Sequence, residues 1–457
     1  MGIEVKHPTE PVTLAIIGCG QRGDSYARYS LIEPTKCKIV AIAEPRSKTR
    51  ALFASTYDVD SSLVFETWEQ FHKASAETIQ TIGKRLADAV VIAVHDHLHA
   101  RLVIAFSAQG YDILCEKPMA TSIEHCLQIE AAVKDAGIIF GMGHVLRYSP
   151  YSRAVTEVVR SGQLGQLVNA QHIEPIGHWH FSHSYVRGNW SKESESSFSL
   201  MTKSCHDIDI LSHWLYPDTP VRVSSFGGLQ HFRKSSKPVG AGDATRCLDC
   251  LYESQCPYSA KKGKSPLVYL DRVAQNAVGW PVSTLVDGLP DIENITDALK
   301  NGPYGKCVYE SDNDVCDNQV VNLQYASGAT VSFTMVAYTT LICERQTRLH
   351  FTHGEIVGDM SQFTVTDFRS GEKTIHEPPS EGGGHGGGDF GLIRAFIEAV
   401  RTRQQDLLDT DVTDVLNSHL TVFAAEHSRK TGVVVDYKEF EIAARRAWDG
   451  GMTLTGS

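Results

Sequence analysis

The chain lacks the features that would place it in a membrane or on a nucleic acid. None of its apolar runs reaches the roughly 18 residues that a membrane-spanning helix needs. The formal net charge is -11, so the basic surface that nucleic-acid binding requires is not expected. Residues 1–11 are polar and lack the apolar core of a signal peptide. We therefore predict neither a membrane nor a nucleic-acid partner.

The cysteines show no paired pattern that would indicate a secreted, disulfide-bonded protein. There are 11 of them, an odd number, scattered through a large chain. This distribution is typical of a reducing compartment, so we expect a cytoplasmic protein. At 457 residues, with 42% hydrophobic and 21% charged residues, the chain is long enough for two sizeable cores.

The first third of the chain alternates strand-like and helical segments. Strand-like runs lie at residues 14–17, 38–43, 89–94, 113–115 and 138–142. The alternation predicts an α/β fold with a doubly wound parallel sheet, that is, a Rossmann domain over residues 1–146.

From about residue 147 the pattern becomes mostly extended. Strand-like runs lie at residues 168–173, 221–226, 317–325, 330–338, 348–352 and 362–367, and helices are expected at 389–402, 413–428 and 438–449. We predict a second α/β domain over residues 147–457, built on one large, mostly antiparallel sheet. An irregular, cysteine-bearing insertion interrupts it near residues 240–307.

A glycine fingerprint follows the first strand-like run, in the order Gly18-Cys19-Gly20-Gln21-Arg22-Gly23. In a dinucleotide site the first glycine makes the tight turn, the second lets the backbone approach the pyrophosphate, and the third lets helix and strand pack closely. The helix N-terminus then faces the phosphates with its positive dipole. The alternative is a glycine-rich turn with a purely structural role.

Glu44 ends the second strand, about 20 residues beyond the fingerprint, where a carboxylate can accept hydrogen bonds from the ribose 2′- and 3′-hydroxyls. A carboxylate there favours NAD over NADP, because a 2′-phosphate would meet a like charge. Arg46, two residues on, leaves NADP open as the alternative cofactor.

Four further motifs accompany the fingerprint: Val94-His95-Asp96-His97-Leu98-His99, Glu116-Lys117-Pro118, His144-Val145-Leu146-Arg147-Tyr148 and His206-Asp207-Ile208-Asp209. With these motifs the chain resembles the Gfo/Idh/MocA oxidoreductases over essentially its whole length. The resemblance implies a Rossmann domain and an α/β domain whose open sheet forms a homo-oligomer, a dimer or a tetramer. It also implies sugars, inositols or related polyols as substrates.

The cofactor site that we expect combines the fingerprint, the second strand and these motifs. Its members are Gly18, Gly20, Gln21, Arg22, Gly23, Glu44, Arg46, His95, His99, Glu116 and Lys117.

Two residues are expected to be catalytic. In the family that the chain resembles, the lysine of Glu-Lys-Pro contacts the reacting hydroxyl and the cofactor ribose, which implies that role for Lys117. His206 matches the histidine of the family's Asp-x-x-x-His pair and suits proton transfer near neutrality. Thr202 stands where the family has the aspartate, so the proton relay cannot be carried over whole. Lys203, one residue on, is expected to change the local electrostatics instead.

Polar side chains near these positions are expected to bind the substrate. They are Arg147, Tyr148, His180, Arg187, Asn189, Trp190, Lys203, Asp209 and His385. Histidines and arginine suit a polyhydroxylated or anionic ligand, and the Trp190 indole offers a stacking platform. Packing at the domain junction is the alternative role for Arg147 and Tyr148. A metal cluster is the alternative for the histidines at 178, 180 and 183.

The glycine-rich stretch 382–388 carries His385. We expect a close-approach loop that brings His385 to the sugar site. A phosphate loop and a flexible linker are the alternatives, and the stretch lacks the Lys-Ser/Thr ending of a phosphate loop.

Three thiols lie within ten residues of the insertion, at Cys247, Cys250 and Cys256. A tetrahedral zinc ion needs four ligands, and Cys307 is the best fourth, before Cys316 or a histidine. We predict a structural zinc site at these four cysteines, which would order an insertion with little apolar content. Free thiols are the alternative.

The sequence therefore predicts an NAD-dependent oxidoreductase that transfers a hydride to or from a sugar or polyol hydroxyl. A second hypothesis is an oxidoreductive glycosidase, in which tightly held NAD oxidises a sugar hydroxyl, promotes elimination and then returns the hydride. A third is a regulator that only senses NAD or a sugar, although the presence of Lys117 and His206 argues against it.

Overall fold

The computed structural model describes residues 10–261, 269–379 and 381–449. In these ranges six strands form an all-parallel sheet in the order β3-β2-β1-β4-β5-β6. The strands are β1 (Val12–Ile17), β2 (Cys37–Ala43), β3 (Val64–Phe65), β4 (Ala89–Ile92), β5 (Asp112–Cys115) and β6 (Phe140–Met142). Both faces of β4 and β5 are buried, as in parallel sheets covered by helices on each side.

The helices of this region alternate with the strands. They are α1 (Gln21–Ala27), α2 (Tyr29–Ile32), α3 (Ser47–Thr56), α4 (Trp68–Ile82), α5 (His99–Ala108) and α6 (Ile123–Ala136). The local sequence sets several of their ends. A capping box of Thr67 and Gln70 starts α4, and Gly83 ends it with φ at 72°. The predicted doubly wound Rossmann sheet is confirmed.

A second sheet contains nine strands among the described residues, in the order β14-β13-β12-β11-β7-β10-β9-β8-β15. They are β7 (Leu167–Pro175), β8 (Pro220–Gly228), β9 (Asn318–Tyr325), β10 (Thr330–Val336), β11 (Gln346–Phe351), β12 (Gly354–Gly358), β13 (Phe363–Asp367), β14 (Lys373–His376) and β15 (Val435–Asp436). Strands β7 and β10 pair in parallel and the other neighbours are antiparallel, which confirms the predicted mostly antiparallel sheet.

One face of this sheet is covered and the other is open. On β7, Ala170 and His172 are buried, whereas Ile173 on the opposite face is 41% exposed. This alternation follows from the two-residue period of a strand. The helices after residue 147 are α7 (Pro150–Arg160), α8 (His178–Phe181), α9 (Ser199–Leu215), α10 (Tyr269–Ala274), α11 (Ile292–Asn301), α12 (Gly388–Thr402), α13 (Val412–Thr431) and α14 (Tyr437–Asp449).

Helix α12 lies in the second half of the chain but packs on the first sheet. Its apolar residues Leu392, Phe396 and Ile397 join Leu14 and Ile16 of β1 in one buried cluster. The chain therefore returns to the parallel sheet after completing the antiparallel one, and the expected division at residue 146 is crossed by this helix. In the ranges 10–261, 269–379 and 381–449, no helix combines the length and the apolar character that a membrane crossing requires.

Candidate active site

The glycine fingerprint forms the turn between β1 and α1, and each glycine has a separate steric reason. Gly18 has φ at 93°, and a Cβ there would lie 2.3 Å from the Ala93 carbonyl oxygen. A Cβ on Gly23 would lie 2.1 Å from the Gly18 carbonyl oxygen, so helix and strand could not approach. A Cβ on Gly20 would meet only the Arg46 guanidinium, at 3.7 Å. The space above Gly20 is thus a cradle that fits a pyrophosphate.

Glu44 is buried at the end of β2 and already has partners. Its carboxylate accepts hydrogen bonds from the Cys19 amide at 2.9 Å and from Nε of Arg46 at 2.8 Å. Burial opposes the charged form, but the hydrogen bonds from Arg46 outweigh burial and lower the pKa of Glu44. A charged carboxylate therefore lies at the position expected for ribose recognition. It is paired with Arg46, the residue because of which NADP was kept as the alternative cofactor.

Arg22 connects the fingerprint to the Glu-Lys-Pro motif. Its Nε lies 2.7 Å from Oε1 of Glu116, and its Nη1 lies 2.9 Å from Oδ2 of Asp389 at the start of α12. Glu116 also accepts a hydrogen bond from the backbone N–H of Lys117, at 2.9 Å. Burial opposes ionisation of Glu116, but Arg22 outweighs it and the pKa of Glu116 is lowered. These contacts make Arg22 and Glu116 a brace that positions Lys117.

His95 and His99, both expected at the cofactor, have different surroundings. His99 is fully buried, and its ring nitrogens lie 2.7 Å from the Pro118 carbonyl oxygen and 3.2 Å from that of Val94. Such contacts brace the loop and leave no ring nitrogen for a ligand. His95 is exposed and stacks on His97, with ring centroids 6.2 Å apart.

Lys117 follows β5 and is joined to Pro118 by a cis peptide bond. Its ammonium group donates a hydrogen bond to the carbonyl oxygen of Thr202 in the first half of α9. His206 lies one helical turn further along α9. The structure thus brings together the two residues that were expected to be catalytic, across the junction of the two sheets.

His206 is buried with its two ring nitrogens in different situations. Nη2 of Arg345 lies 2.8 Å from Nε2, and Nδ1 has no hydrogen-bond partner within residues 10–261, 269–379 and 381–449. An arginine can only donate, so Nε2 must be the acceptor and Nδ1 carries the proton. Burial and the Arg345 charge lower the pKa of His206 well below its ordinary value, against the opposing effect of Asp207. His206 is therefore a neutral hydrogen-bond donor through Nδ1.

Arg345 organises a buried network of charges beside His206. Its Nε lies 2.6 Å from Oε2 of Glu174 and 2.9 Å from Oδ1 of Asp207. Glu174 also pairs with Lys203, whose Nζ lies 3.1 Å from Oε1. Two cations therefore face two anions, which a buried network requires. The sequence analysis missed Arg345, because no motif marks a single arginine between two strands.

Lys203 also contacts a cysteine that the sequence analysis did not single out. Its Nζ donates a hydrogen bond to Sγ of Cys343 at 2.9 Å, and Nδ1 of His180 lies 3.4 Å from the same sulfur. Burial opposes the charge on Lys203, but Cys343 and Glu174 outweigh it and raise the pKa of Lys203. Two of the expected substrate residues, His180 and Lys203, thus meet at Cys343.

His385 reaches the same place, as expected for a close-approach loop. Its ring centroid lies 6.0 Å from that of His206. Its Nδ1 lies 3.0 Å from Oδ1 of Asp389, and an Nδ1–H donated to that carboxylate leaves Nε2 as a proton acceptor. Burial lowers the pKa of His385, although Asp389 opposes the shift. The pair is an aspartate–histidine dyad beside the two expected catalytic residues.

Three of the expected substrate residues are bonded inside the protein. Arg147 makes a bidentate ion pair with Asp209, at 2.6 and 2.7 Å, and the Tyr148 hydroxyl donates to the Leu408 carbonyl oxygen at 2.7 Å. All three are buried. This placement favours the alternative role that we gave for Arg147 and Tyr148, packing at the domain junction.

Arg187, Asn189 and Trp190 also differ in their surroundings. Arg187 is buried and donates to the carbonyl oxygens of Lys306 and Tyr258, both at 2.8 Å, so its guanidinium braces the insertion. Trp190 donates its indole N–H to Asp96 at 3.0 Å, and Asn189 is exposed. These three residues do not join His206 and His385 in one cluster.

A different tryptophan lies nearer to the histidines. The Trp280 ring, in the insertion, lies 5.0 Å from the ring of His180 and 5.3 Å from that of Trp179. Sequence proximity selected Trp190 as the stacking platform, whereas the fold places Trp280 beside His180. A tryptophan in an irregular segment has no local signal that would connect it to a site about 100 residues away.

Comparison with known proteins agrees with this architecture. Residues 12–144 match the model of an oxidoreductase family with an NAD-binding Rossmann fold, GFO_IDH_MocA, and residues 156–436 match the model of its C-terminal alpha/beta domain. The chain belongs to the Gfo/Idh/MocA oxidoreductase family. The resemblance seen in the sequence is confirmed, and the first domain is an NAD-binding Rossmann domain.

Individual relatives are distant. YteT of Bacillus subtilis (strain 168) is 24% identical over 74% of this chain and 78% of its own length. The 2,7-anhydro-N-acetylneuraminate hydratase of Escherichia coli (strain K12) is 27% identical over 32% of this chain and 38% of its own. A levoglucosan dehydrogenase, solved with NADH and levoglucosan, covers 94% of this chain and 100% of its own at a TM-score of 0.64 and 16% identity. The last likeness is one of fold.

Proposed function

We propose that the protein is an NAD-dependent dehydrogenase or reductase that acts on a hydroxyl group of a sugar or polyol. The observation that carries the proposal is the meeting of Lys117, His206 and His385 at the junction of the two sheets. Oxidation of an alcohol requires a group that holds the oxygen and a group that takes its proton while a hydride leaves the carbon. The three residues supply both kinds of group.

Lys117 and the imidazole N–H of His206 hold the reacting oxygen in this proposal. A lysine ammonium has three donors, and only one of them is used by the Thr202 carbonyl. Among the residues that the structure describes, Nδ1–H of His206 has no hydrogen-bond partner. Two donors aimed at one oxygen stabilise the negative charge that develops on it as the proton departs.

His385 accepts the hydroxyl proton. Its Nδ1–H is held by Asp389, which leaves the Nε2 lone pair for the substrate. Because Thr202 occupies the position where the family has an aspartate, the acid–base partner comes from the loop before α12 instead of from α9. Burial keeps His385 neutral at physiological pH, as a base must be before it acts.

The cofactor that fits the cradle at Gly20 is a dinucleotide, and when bound it supplies the hydride acceptor or donor. The turn at Gly18 and Gly20 would hold the pyrophosphate, and Glu44 the ribose hydroxyls. We propose NAD as the physiological cofactor, because the Glu44 carboxylate would repel a 2′-phosphate. Arg46 is engaged by Glu44 through Nε at 2.8 Å and is therefore not free to neutralise that phosphate.

A second candidate is an enzyme that uses NAD transiently to eliminate or add a group beside the oxidised carbon. The dyad of His385 and Asp389 favours it, because such chemistry needs a base for the neighbouring C–H bond. One relative is named a hydratase, a reaction without net oxidation. A regulator that only senses NAD or a sugar is a third hypothesis, which any turnover would exclude.

The experiment incubates the purified protein and NAD in heavy water with free sugars, inositols, anhydrosugars and aryl glycosides. We expect NADH to accumulate in step with an oxidised product. Net cleavage or hydration with deuterium at the carbon next to the oxidised one, and no NADH, would support the second candidate instead. Cofactor and sugar binding without any turnover over the whole panel would contradict both.

We also propose a cytoplasmic homo-oligomer, a dimer or a tetramer, that associates through the open face of the second sheet. Support comes from Ile173 of β7 and Phe226 of β8, apolar residues exposed in one row of that face. All 11 cysteines lie in the described ranges and none forms a disulfide there, which suits a reducing compartment. Analytical ultracentrifugation of the wild type and of Ile173→Glu tests the interface, and an unchanged sedimentation coefficient would reject it.

A further inference from the structure

Four cysteines of the insertion line one small cavity. They are Cys247, Cys250, Cys256 and Cys307, which we call the cysteine cluster. The cavity has a volume of about 20 Å³, close to the space that a single water or ion occupies. Each of the four sulfurs is a free thiol. The chain thus converges on a space of ionic size with the residue type that binds thiophilic metals.

Backbone pairing brings the most distant member into place. Residues Arg246 and Lys306 form an antiparallel bridge, and the amide of Cys307 donates to the Thr245 carbonyl oxygen at 2.8 Å. Cys247 and Cys307, each next to a bridged residue, are thereby held as neighbours although 60 residues separate them in the sequence. Cys307, which the sequence analysis chose as the fourth ligand, lines the same cavity as the other three cysteines.

The sulfurs are surrounded by hydrogen-bond donors. Nη2 of Arg187 donates to Sγ of Cys247 at 3.4 Å. Backbone N–H groups two residues downstream donate to two more of the sulfurs, from Tyr258 to Cys256 and from Tyr309 to Cys307. Such N–H···S bonds stabilise thiolates and orient metal ligands.

From this geometry we propose that the cysteine cluster binds one structural zinc ion. Among the described residues, three or more histidine, cysteine or carboxylate ligand atoms lie within 4.8 Å of one another at His144, Cys205 and His419. The sulfurs of the cysteine cluster do not meet this spacing. The cluster sulfurs are therefore more widely spaced than in a zinc tetrathiolate, where Zn–S bonds of about 2.3 Å bring sulfurs to about 3.8 Å. Zinc draws the four sulfurs into the cavity and displaces their protons.

The His144 group does not compete for this role. Its His419 ring accepts a hydrogen bond from the Met119 amide at 2.8 Å and faces the Val415 carbonyl oxygen at 2.8 Å, so both nitrogens are used. His144 lies 2.9 Å from Asp209 through Nδ1. Both nitrogens of His419 and Nδ1 of His144 are thus engaged within the protein, whereas the cysteine cluster surrounds a space.

The zinc ion would stabilise a segment that holds the cofactor domain. The insertion has only a small core, formed by Trp179, Cys247, Ala260, Tyr269, Val282, Ile295 and Leu299. It nevertheless contacts the Rossmann domain, where Gln21 donates to Ser283 at 2.8 Å and the Thr49 amide donates to Asp287 at 2.9 Å. Holding the insertion in shape therefore holds the contact to the glycine fingerprint.

The test measures metal in full-length protein purified without a histidine tag. We expect one zinc per chain by inductively coupled plasma mass spectrometry, and less than a tenth of that in Cys250→Ser. Cys316→Ser is the matched control, because Cys316 is a buried cysteine outside the cavity, and it should retain the zinc. No stoichiometric zinc in the wild type, or iron with acid-labile sulfide in its place, would overturn the proposal.

A second measurement avoids the risk that a variant misfolds. Titration of the wild-type protein with p-hydroxymercuribenzoate, followed by a zinc-sensitive dye, should release the ion as the cluster thiols react. Limited proteolysis should then cut within residues 240–307, and NAD should dissociate faster than from untreated protein. Release of zinc without any change in proteolysis and cofactor retention would reject the stabilising role, and thiol reaction without zinc release would reject the site.

Discussion

Nη2 of Arg345 donates a hydrogen bond to Nε2 of His206 over 2.8 Å, across 139 residues of sequence. This one contact decides which nitrogen of the expected catalytic histidine carries the proton. It also places a permanent positive charge beside the imidazole, which adds to burial in lowering the pKa of His206. A residue that contacts neither substrate nor cofactor in our proposal thus sets the chemistry of one that does.

Arg345→Gln should therefore act through His206. We expect kcat to fall about 10- to 100-fold with a small change in KM. The acid limb of the pH–rate profile should move to higher pH, because loss of the cation lets the pKa of His206 rise. Arg348→Gln, at an exposed position of β11 three residues further on, is the control. An unshifted acid limb with full loss of activity would show that Arg345 has only a structural role.

Lys117→Ala should reduce turnover by about three orders of magnitude or more, because in our proposal the lysine contacts the reacting oxygen. The dissociation constant of NAD should change by no more than about threefold. Single-turnover hydride transfer and fluorescence titration with NADH measure the two effects. His206→Ala should be slower than the wild type by a smaller factor, since Lys117 still holds the oxygen. Near-normal hydride transfer by Lys117→Ala would exclude its catalytic role.

His385→Gln should slow the proton-transfer step by about 10²- to 10⁴-fold, the usual range for loss of a general base. Asp389→Asn should give a smaller loss, because the imidazole remains but its tautomer is no longer set. Asp389 also pairs with Arg22, so Arg22→Lys provides the comparison for that lost ion pair. A solvent deuterium isotope effect that is identical in the wild type and in His385→Gln would argue against this assignment.

NAD should bind the apoprotein more tightly than NADP, by about tenfold or more, because the charged Glu44 carboxylate faces the 2′-position. Glu44→Ala should narrow the difference, chiefly by improving NADP binding as Arg46 is released from its hydrogen bond. Isothermal titration calorimetry with NAD and with NADP measures the two dissociation constants in the wild type and in the variant. Equal or tighter binding of NADP by the wild type would refute the assignment of Glu44 to the ribose hydroxyls.

Stability should fall as the pH drops from about 6.5 towards 5. Burial lowers the pKa of both His183 and His419 to about 3, whereas an unfolded histidine titrates near 6.5. Between these two pKa values the unfolded chain binds protons that the folded chain does not. The free energy of unfolding therefore decreases as the pH falls through this range. Above about pH 7 these two histidines are neutral in both states and do not affect it. Urea unfolding midpoints at pH 7.5 and 5.0 measure this loss of stability, and equal midpoints would contradict the prediction.

The parallel sheet and the glycine turn could be derived from the sequence because their signals are local. Apolar runs, glycine spacing and strand–helix alternation depend on neighbouring residues, and so Gly18, Gly20 and Gly23 were found where the fold needs them. The short strands β3, β12, β14 and β15 went unnamed, because two to five residues give too little periodicity. The expected pairing of Lys117 with His206 rested on family resemblance, and the structure brings both residues together.

Other features depended on packing between distant segments. The polarity of Arg147, Arg187 and Asp209 indicated a substrate site, but each satisfies its charge or hydrogen bonds inside the protein. The sequence by itself determined the two sheets and the cofactor turn, since strand periodicity and turn geometry are properties of short segments. Only the tertiary structure decided that Arg345 holds His206, because an ion network forms only where folding has removed water from partners far apart in the chain.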